Sequence, residues 1–97
     1  MKEKVIEIID HFEDIEKQFS TPEVIGNPEL MKKTAQERSR LEPVVIKGRE
    51  YIELIQQIEE VEEILPGDDE ELIQLAKEEL AELSTRKILM EEELKIL

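Results

Sequence analysis

Apolar side chains recur every three or four residues along most of the chain, and this period is interrupted at only two places. Such spacing lines the apolar residues up on one face of an α-helix. The interruptions read "STPEVIGNPE" (residues 20–29) and "PGDDEE" (residues 66–71). Proline, glycine and capping residues of this kind are typical of helix ends. The pattern therefore predicts an all-α fold in which two turns join three amphipathic helices.

The first predicted helix runs roughly from Glu3 to Phe19, where the first interruption ends it. Within that interruption, Thr21 followed by Pro22 predicts a short helical turn, which Gly26 would end with a positive φ. We expect Val24 and Ile25 to fold back onto both flanking helices and fix the angle between them. The apolar face of the first helix consists of Val5, Ile8, Ile9, Phe12, Ile15 and Phe19.

The second predicted helix is long, from Pro28 to Leu65, with Asn27 as its N-cap. A proline inside a helix costs about 3 kcal/mol, so Pro43 argues against a continuous helix. The apolar period nevertheless continues from Leu41 to Val45 without a change of phase, which favours a kink over a break. The predicted apolar seam consists of Leu41, Val45, Gly48, Ile52, Ile55 and Ile58.

The third predicted helix follows the Pro66-Gly67 turn, with Asp68 as its cap, and continues to Leu97. One face of it keeps a three-four spacing close to a heptad: Leu72, Ala76, Leu80, Leu83, Lys87, Met90, Leu94 and Leu97. A tight turn between two long helices gives an antiparallel hairpin. The sequence thus predicts an antiparallel three-helix bundle built on a long helical hairpin with coiled-coil-like packing. The final helix has no polar tail, so we expect the chain to be part of a longer protein.

Length and composition place the chain in a broad class. Its 97 residues suit one domain, it has no cysteine, and its formal net charge is -13. No apolar run approaches the roughly 18 residues that a membrane helix needs. The start, "MKEKVIEIIDHF", is too acidic for a signal peptide. These features predict a cytoplasmic protein without a membrane partner.

Residues with catalytic or metal-binding chemistry are sparse. The single histidine, His11, has Glu7 one turn earlier, which fits a solvated histidine better than a metal site. The acidic turn at residues 67–71 lacks the spaced ligands of a calcium loop. Three isolated glycines cannot form a phosphate-binding loop. The sequence predicts no catalysis, no metal, no cofactor and no small-molecule substrate.

Basic residues are concentrated between Met31 and Arg49, and four of them are candidate contacts to an anionic partner: Lys32, Lys33, Arg38 and Arg40. One interpretation is that they balance acidic helices within the fold. The other is that they contact RNA phosphates on a large partner. Tyr51 is the only aromatic residue near enough in sequence to stack on a base, so base-specific recognition is not expected.

Several segments in order resemble one family: "FEDIEKQFS", "TPEVIGNPE", "AQERSRLEPVV", "YIELIQQIEEVEEIL" and "LAKEELAELSTRKILMEEELKIL". The series resembles the N-terminal helical domain of bacterial class-I peptide-chain release factors over essentially the whole chain. "PEVIGNPE" together with "ERSRLEPVV" carries most of the likeness. The first loop lacks the tryptophan typical of the branch that reads UAA and UGA, which favours the branch that reads UAA and UAG.

The resemblance implies a role in translation termination on the ribosome. In that family the N-terminal domain projects toward the stalk base of the large subunit and bears on coupling to the GTPase class-II release factor. The codon-reading loop and the GGQ loop that promotes peptidyl-tRNA hydrolysis belong to other domains, and these residues contain no Gly-Gly pair. No catalytic residue is implied here. A different hypothesis is a freestanding acidic helical adaptor whose apolar stripe binds a partner.

Overall fold

Four helices and no strands make up the computed structural model, which describes all residues from Met1 to Leu97. The helices are α1 (Lys2–Gln18), α2 (Pro22–Ile25), α3 (Pro28–Glu62) and α4 (Glu70–Ile96). The predicted all-α class and the long helical hairpin are confirmed. The chain divides into two compact units, Met1–Arg49 and Glu50–Leu97, so that α3 contributes its first part to one unit and its second part to the other.

In the first unit, α1 packs antiparallel to the first part of α3. The core contains Val5, Phe12 and Ile15 of α1 and Val45 of α3, all buried. A Cβ atom at Gly48 would lie 2.9 Å from Val5 Cγ1, closer than van der Waals contact allows. Gly48 therefore permits the two helices to approach closely.

The segment between α1 and α3 differs in two details from the sequence prediction. Val24 is buried, with 4% of its surface exposed, but Ile25 is 59% exposed, so only one of the two packs inward. Adjacent helical side chains point about 100° apart, so a single turn cannot bury both. Gly26 ends α2 with φ -81° rather than the predicted positive φ. The predicted cap at Asn27 is confirmed, because its Oδ1 accepts a hydrogen bond from the Leu30 N–H (3.1 Å).

The helix α3 continues through Pro43 without a break. Proline has no N–H, so the Ser39 carbonyl four residues earlier loses its backbone partner within the helix. Both Pro43 and Ser39 are exposed, which leaves that carbonyl open to water. Solvent exposure therefore explains why a proline is tolerated in the middle of this helix.

In the second unit, the second part of α3 packs antiparallel to α4 in a coiled-coil-like register. The residues that face the partner helix follow one another at spacings of three and four: Tyr51, Leu54, Ile58 and Val61 on α3, Leu65 in the turn that follows it, and Ala76, Leu80, Leu83, Lys87, Met90 and Leu94 on α4. The α4 pattern matches the sequence prediction from Ala76 to Leu94, but Leu72 and Leu97 at its two ends are exposed. The predicted α3 seam is right at Leu41, Val45, Gly48 and Ile58, which are buried or half-buried. It differs at the start of the second unit, where Tyr51 and Leu54 are buried and the predicted Ile52 and Ile55 are only half-buried.

The second turn caps α4 one residue later than predicted. Asp69, not Asp68, is the N-cap, and its Oδ1 accepts hydrogen bonds from the backbone N–H groups of Glu71 (3.1 Å) and Leu72 (3.2 Å). Glu70 and Glu71 occupy the first turn of α4, where the helix dipole favours negative charge.

Candidate nucleic-acid interface

The four basic residues singled out from the sequence all lie on the first part of α3, but they are not equivalent. Lys32, Lys33 and Arg40 are exposed, whereas Arg38 is half-buried. Lys33 and Arg40 are seven residues apart, which is close to two helical turns, so they share a face at a separation of roughly 10 Å along the axis. Lys32 precedes Lys33 and points to an adjoining face.

Arg38 is held by contacts within the first unit. Its Nη1 donates to Glu42 Oε2 (2.8 Å) and its Nη2 donates to Glu16 Oε2 on α1 (3.2 Å). Its guanidinium carbon also lies 5.1 Å from the centre of the Phe12 ring, a cation–π contact. The side chain thus connects α1 to α3, as the balancing interpretation of the basic stretch predicts for this residue.

Arg49 makes a second set of contacts around the same ring, which the sequence prediction missed. Its guanidinium carbon lies 5.9 Å from the Phe12 ring centre, and its Nη2 lies 3.6 Å from Glu13 Oε1. The sequence features that indicate these contacts are a phenylalanine on the carboxylate-rich first helix and the arginines on the helix that packs against it. Two arginines therefore serve the packing of α1 on α3.

The other three candidate residues, Lys32, Lys33 and Arg40, form no ion pair within the chain. Their charges face solvent on the part of α3 that α1 does not cover. Lysine meets a phosphate as a point charge, and arginine can make two parallel hydrogen bonds to it. These three residues, here called the basic patch, have the charge to contact an anionic phosphate backbone, and such contacts carry no sequence information.

Two other residues considered from the sequence have structural roles. Tyr51 is 2% exposed, and its hydroxyl donates to Glu91 Oε2 (2.6 Å), so its ring is not available to stack on a base. His11 is exposed on α1, and its Nε2 donates to Glu37 Oε1 on α3 (2.8 Å). Both residues join one helix to its neighbour within a unit.

The structure contains no group of three or more His, Asp or Glu residues arranged to hold a metal ion. None of the helices combines the length and the apolar composition needed to cross a bilayer.

The chain matches the PCRF domain family over residues 8–97. It belongs to that family. Among curated proteins that resemble this PCRF domain is the peptide chain release factor 1 of a Nitratiruptor species, 39% identical over 97 residues. The protein of the same name from Caldicellulosiruptor saccharolyticus is 43% identical over 98 residues, and that of Clostridioides difficile is 41% identical over 96 residues. The resemblance to release factors predicted from the sequence is confirmed.

This PCRF domain covers only part of those relatives. The matches take in 97–100% of the chain but 27–28% of the length of each relative named above. No solved structure matches the chain.

Proposed function

We propose that this chain acts in translation termination as the helical N-terminal domain of a peptide chain release factor. The observation that supports this most strongly is the match to the PCRF domain over residues 8–97, together with about 40% identity to proteins named peptide chain release factor 1. The role places the protein at the ribosome, in the cytoplasm.

In this proposal, the domain binds and positions, and other parts of a release factor perform the reaction. Reading of UAA and UAG and promotion of peptidyl-tRNA hydrolysis fall outside these 97 residues, which contain neither a Gly-Gly pair nor a metal cluster. The helical domain docks near the stalk base and GTPase centre of the large subunit. There it meets the GTPase class-II release factor.

The basic patch makes the contact to ribosomal RNA. Three unpaired cations on one part of α3 favour a phosphate backbone, although the chain as a whole is acidic. Arg38 is left out of this contact because Glu16, Glu42 and the Phe12 ring already occupy its guanidinium group.

Co-sedimentation with purified bacterial ribosomal subunits tests the proposal. We expect the chain to bind the large subunit with an affinity that falls as salt rises. Replacing Lys33→Glu and Arg40→Glu removes two phosphate contacts, so the slope of log affinity against log salt should flatten by about 1–2.

The matched control carries Lys77→Glu and Lys95→Glu, which change the net charge equally but lie on exposed positions of α4. This control should keep the slope of the unaltered chain. If the two variants behave alike, the basic patch is not the contact. If the chain binds neither subunit, the freestanding adaptor becomes the better hypothesis.

A further inference from the structure

A hydrogen-bond acceptor without a partner lies on the first part of α3, at Ser39. Pro43 has no N–H, so the Ser39 carbonyl oxygen lacks the usual donor four residues later, and both residues are exposed. The Ser39 hydroxyl is free as well. The hydroxyls of Thr34 and Thr85 donate to carbonyls four residues earlier in their helices, whereas Ser39 forms no such bond. Ser39 therefore presents an acceptor and a hydroxyl to solvent.

The Ser39 carbonyl lies among the cations of the basic patch. Lys32 and Ser39 are seven residues apart, which is close to two helical turns, so they share a face of α3. Arg40 follows Ser39 directly in the sequence. A phosphate backbone held by these cations would therefore pass close to the free carbonyl.

The carboxylates in this part of α3 are already engaged. Between residues 30 and 47 the only acidic residues are Glu37 and Glu42. His11 donates to Glu37 Oε1 (2.8 Å), and Arg38 donates to Glu42 Oε2 (2.8 Å). The charges that face solvent around Ser39 are therefore positive, although the chain as a whole is acidic.

We propose that the Ser39 carbonyl accepts a hydrogen bond from a ribose 2′-hydroxyl, so that the basic patch prefers RNA to DNA. This inference rests on the RNA contact proposed above and adds to it a group that tells the two nucleic acids apart. Phosphates meet lysine and arginine equally well in RNA and in DNA. Only RNA has the 2′-hydroxyl, which can donate to a carbonyl oxygen.

A double-stranded RNA fits this surface better than a single strand does. An A-form duplex displays its 2′-hydroxyls in a wide, shallow minor groove between two phosphate backbones, where a surface helix can reach both groups. Binding of single strands depends instead on aromatic side chains that stack on the bases. The aromatic rings of this chain are buried or half-buried: Phe12, Phe19 and Tyr51.

The test measures binding of the full chain to two RNA duplexes of the same sequence, each roughly 16 base pairs long, at low salt. One duplex is unmodified. The other carries 2′-fluoro groups, which keep the A-form helix but cannot donate a hydrogen bond. Fluorescence anisotropy should show about three- to tenfold tighter binding of the unmodified duplex, the effect of one hydrogen bond to an uncharged acceptor.

Pro43→Ala should abolish this preference. The alanine N–H bonds to the Ser39 carbonyl inside the helix and so closes the acceptor. The affinities for the two duplexes should then agree within about twofold, while the slope of log affinity against log salt stays the same because the cations are unchanged. Alanine favours a helix more than proline does, so the variant should fold.

Pro28→Ala is the matched control. Pro28 is the first residue of α3, where a backbone N–H has no partner within the helix, so alanine there closes no acceptor. This variant should keep the full preference for the unmodified duplex. Circular dichroism verifies that both variants keep their helices.

A preference that Pro43→Ala abolishes and Pro28→Ala keeps supports the inference. Equal affinity of the unaltered chain for the two duplexes overturns it and leaves the phosphate contact of the basic patch standing. A preference that survives Pro43→Ala overturns it too, because another group must then contact the hydroxyl. A changed salt slope in Pro43→Ala would mean that the proline acts through the shape of α3, which also overturns it. If neither duplex binds, the inference and the RNA contact of the basic patch are both wrong.

Discussion

At the level of single side chains, the first unit depends on two arrangements around α1, the close approach at Gly48 and the pair of arginines at Phe12. One arrangement needs the absence of a side chain, and the other needs a planar cation with several donors. At both places, a substitution that looks conservative should lower the stability of the protein.

Gly48→Ala should destabilise the protein, although alanine is the better helix former. The new Cβ would lie 2.9 Å from Val5 Cγ1, and valine in a helix has little rotamer freedom with which to move away. Overpacking costs about 1–3 kcal/mol, against about 1 kcal/mol gained in helix propensity. We expect a net loss of about 1 kcal/mol, seen as a melting temperature lower by about 4–8 °C.

A double-mutant cycle isolates the contact at Gly48. In a Val5→Ala background the clashing methyl group is gone, so adding Gly48→Ala should cost nothing or stabilise the helix. An equal loss in both backgrounds would show that the cause is not the approach of α1 to α3.

Arg38→Lys should destabilise the first unit, and it should leave the proposed ribosome contact unchanged. Lysine keeps the charge but cannot reach Glu42, Glu16 and the Phe12 ring together as the guanidinium group does. Arg38 is 36% exposed, so solvent screening limits the expected loss to about 0.5–1 kcal/mol in chemical denaturation.

Arg40→Lys is the matched control for Arg38→Lys, because Arg40 is exposed and forms no ion pair. Its stability should stay within about 0.3 kcal/mol of the unaltered chain. Similar losses in the two variants would contradict a specific role for Arg38.

At the level of helices and turns, the sequence was most informative where a local signal decides the outcome. Asn27 caps α3 as predicted because proline follows it directly and fixes the start of the helix. At the second turn, Asp68 and Asp69 are equally good capping residues, so composition could not choose between them. In the structure the N-cap is Asp69, whose extended backbone (φ -84°, ψ 102°) directs its carboxylate toward the first turn of α4.

Removing the carboxylate cap should distinguish those two aspartates. Asp69→Ala leaves the N–H groups of Glu71 and Leu72 without their partner, which should cost about 1 kcal/mol. Asp68→Ala removes the same charge one residue earlier and should be close to neutral. Thermal unfolding followed by circular dichroism measures both, and a larger loss for Asp68→Ala would place the cap where the sequence prediction had it.

The buried residues of α3 were harder to predict, because this helix packs against α1 first and α4 afterwards. The seam read from the sequence continues one phase through Ile52 and Ile55, which suits a helix with a single partner. In the structure, the buried residues of α3 in this region are spaced by three residues three times in succession: Val45, Gly48, Tyr51 and Leu54. Such a step moves the buried stripe to another side of the helix. The spacing of apolar residues along the sequence does not show where a helix stops packing on one neighbouring helix and begins packing on another.

The candidate site shows the same limit. Sequence composition located the basic stretch but could not separate Arg38, which contacts α1, from Lys33 and Arg40, which face solvent. That distinction depends on which side of α3 is covered. Only the structure shows that Phe12 and Glu16 lie opposite Arg38.

For the protein as a whole, charge is distributed so unevenly that the two units should respond differently to salt. The first unit is almost balanced and contains the ion pairs of Arg38 and Arg49, whereas the second has sixteen acidic residues against four basic ones. Self-repulsion among the carboxylates destabilises a compact state. The ion pairs of Arg38 and Arg49 are more than one-third exposed and therefore weak, so repulsion should dominate the dependence on ionic strength.

Raising ionic strength from about 0.01 M to 0.15 M shortens the Debye length from roughly 30 Å to 8 Å and screens that repulsion. We expect the melting temperature to rise by about 3 °C, or about half a kcal/mol.

Glu78→Gln with Glu92→Gln should raise the melting temperature at low salt and reduce its salt dependence. Glu7→Gln with Asp14→Asn, an equal change in the balanced unit, should have the smaller effect on both. A melting temperature that falls with salt would instead mean that the pairs around Phe12 outweigh the repulsion, and the uneven charge would then have no bearing on stability.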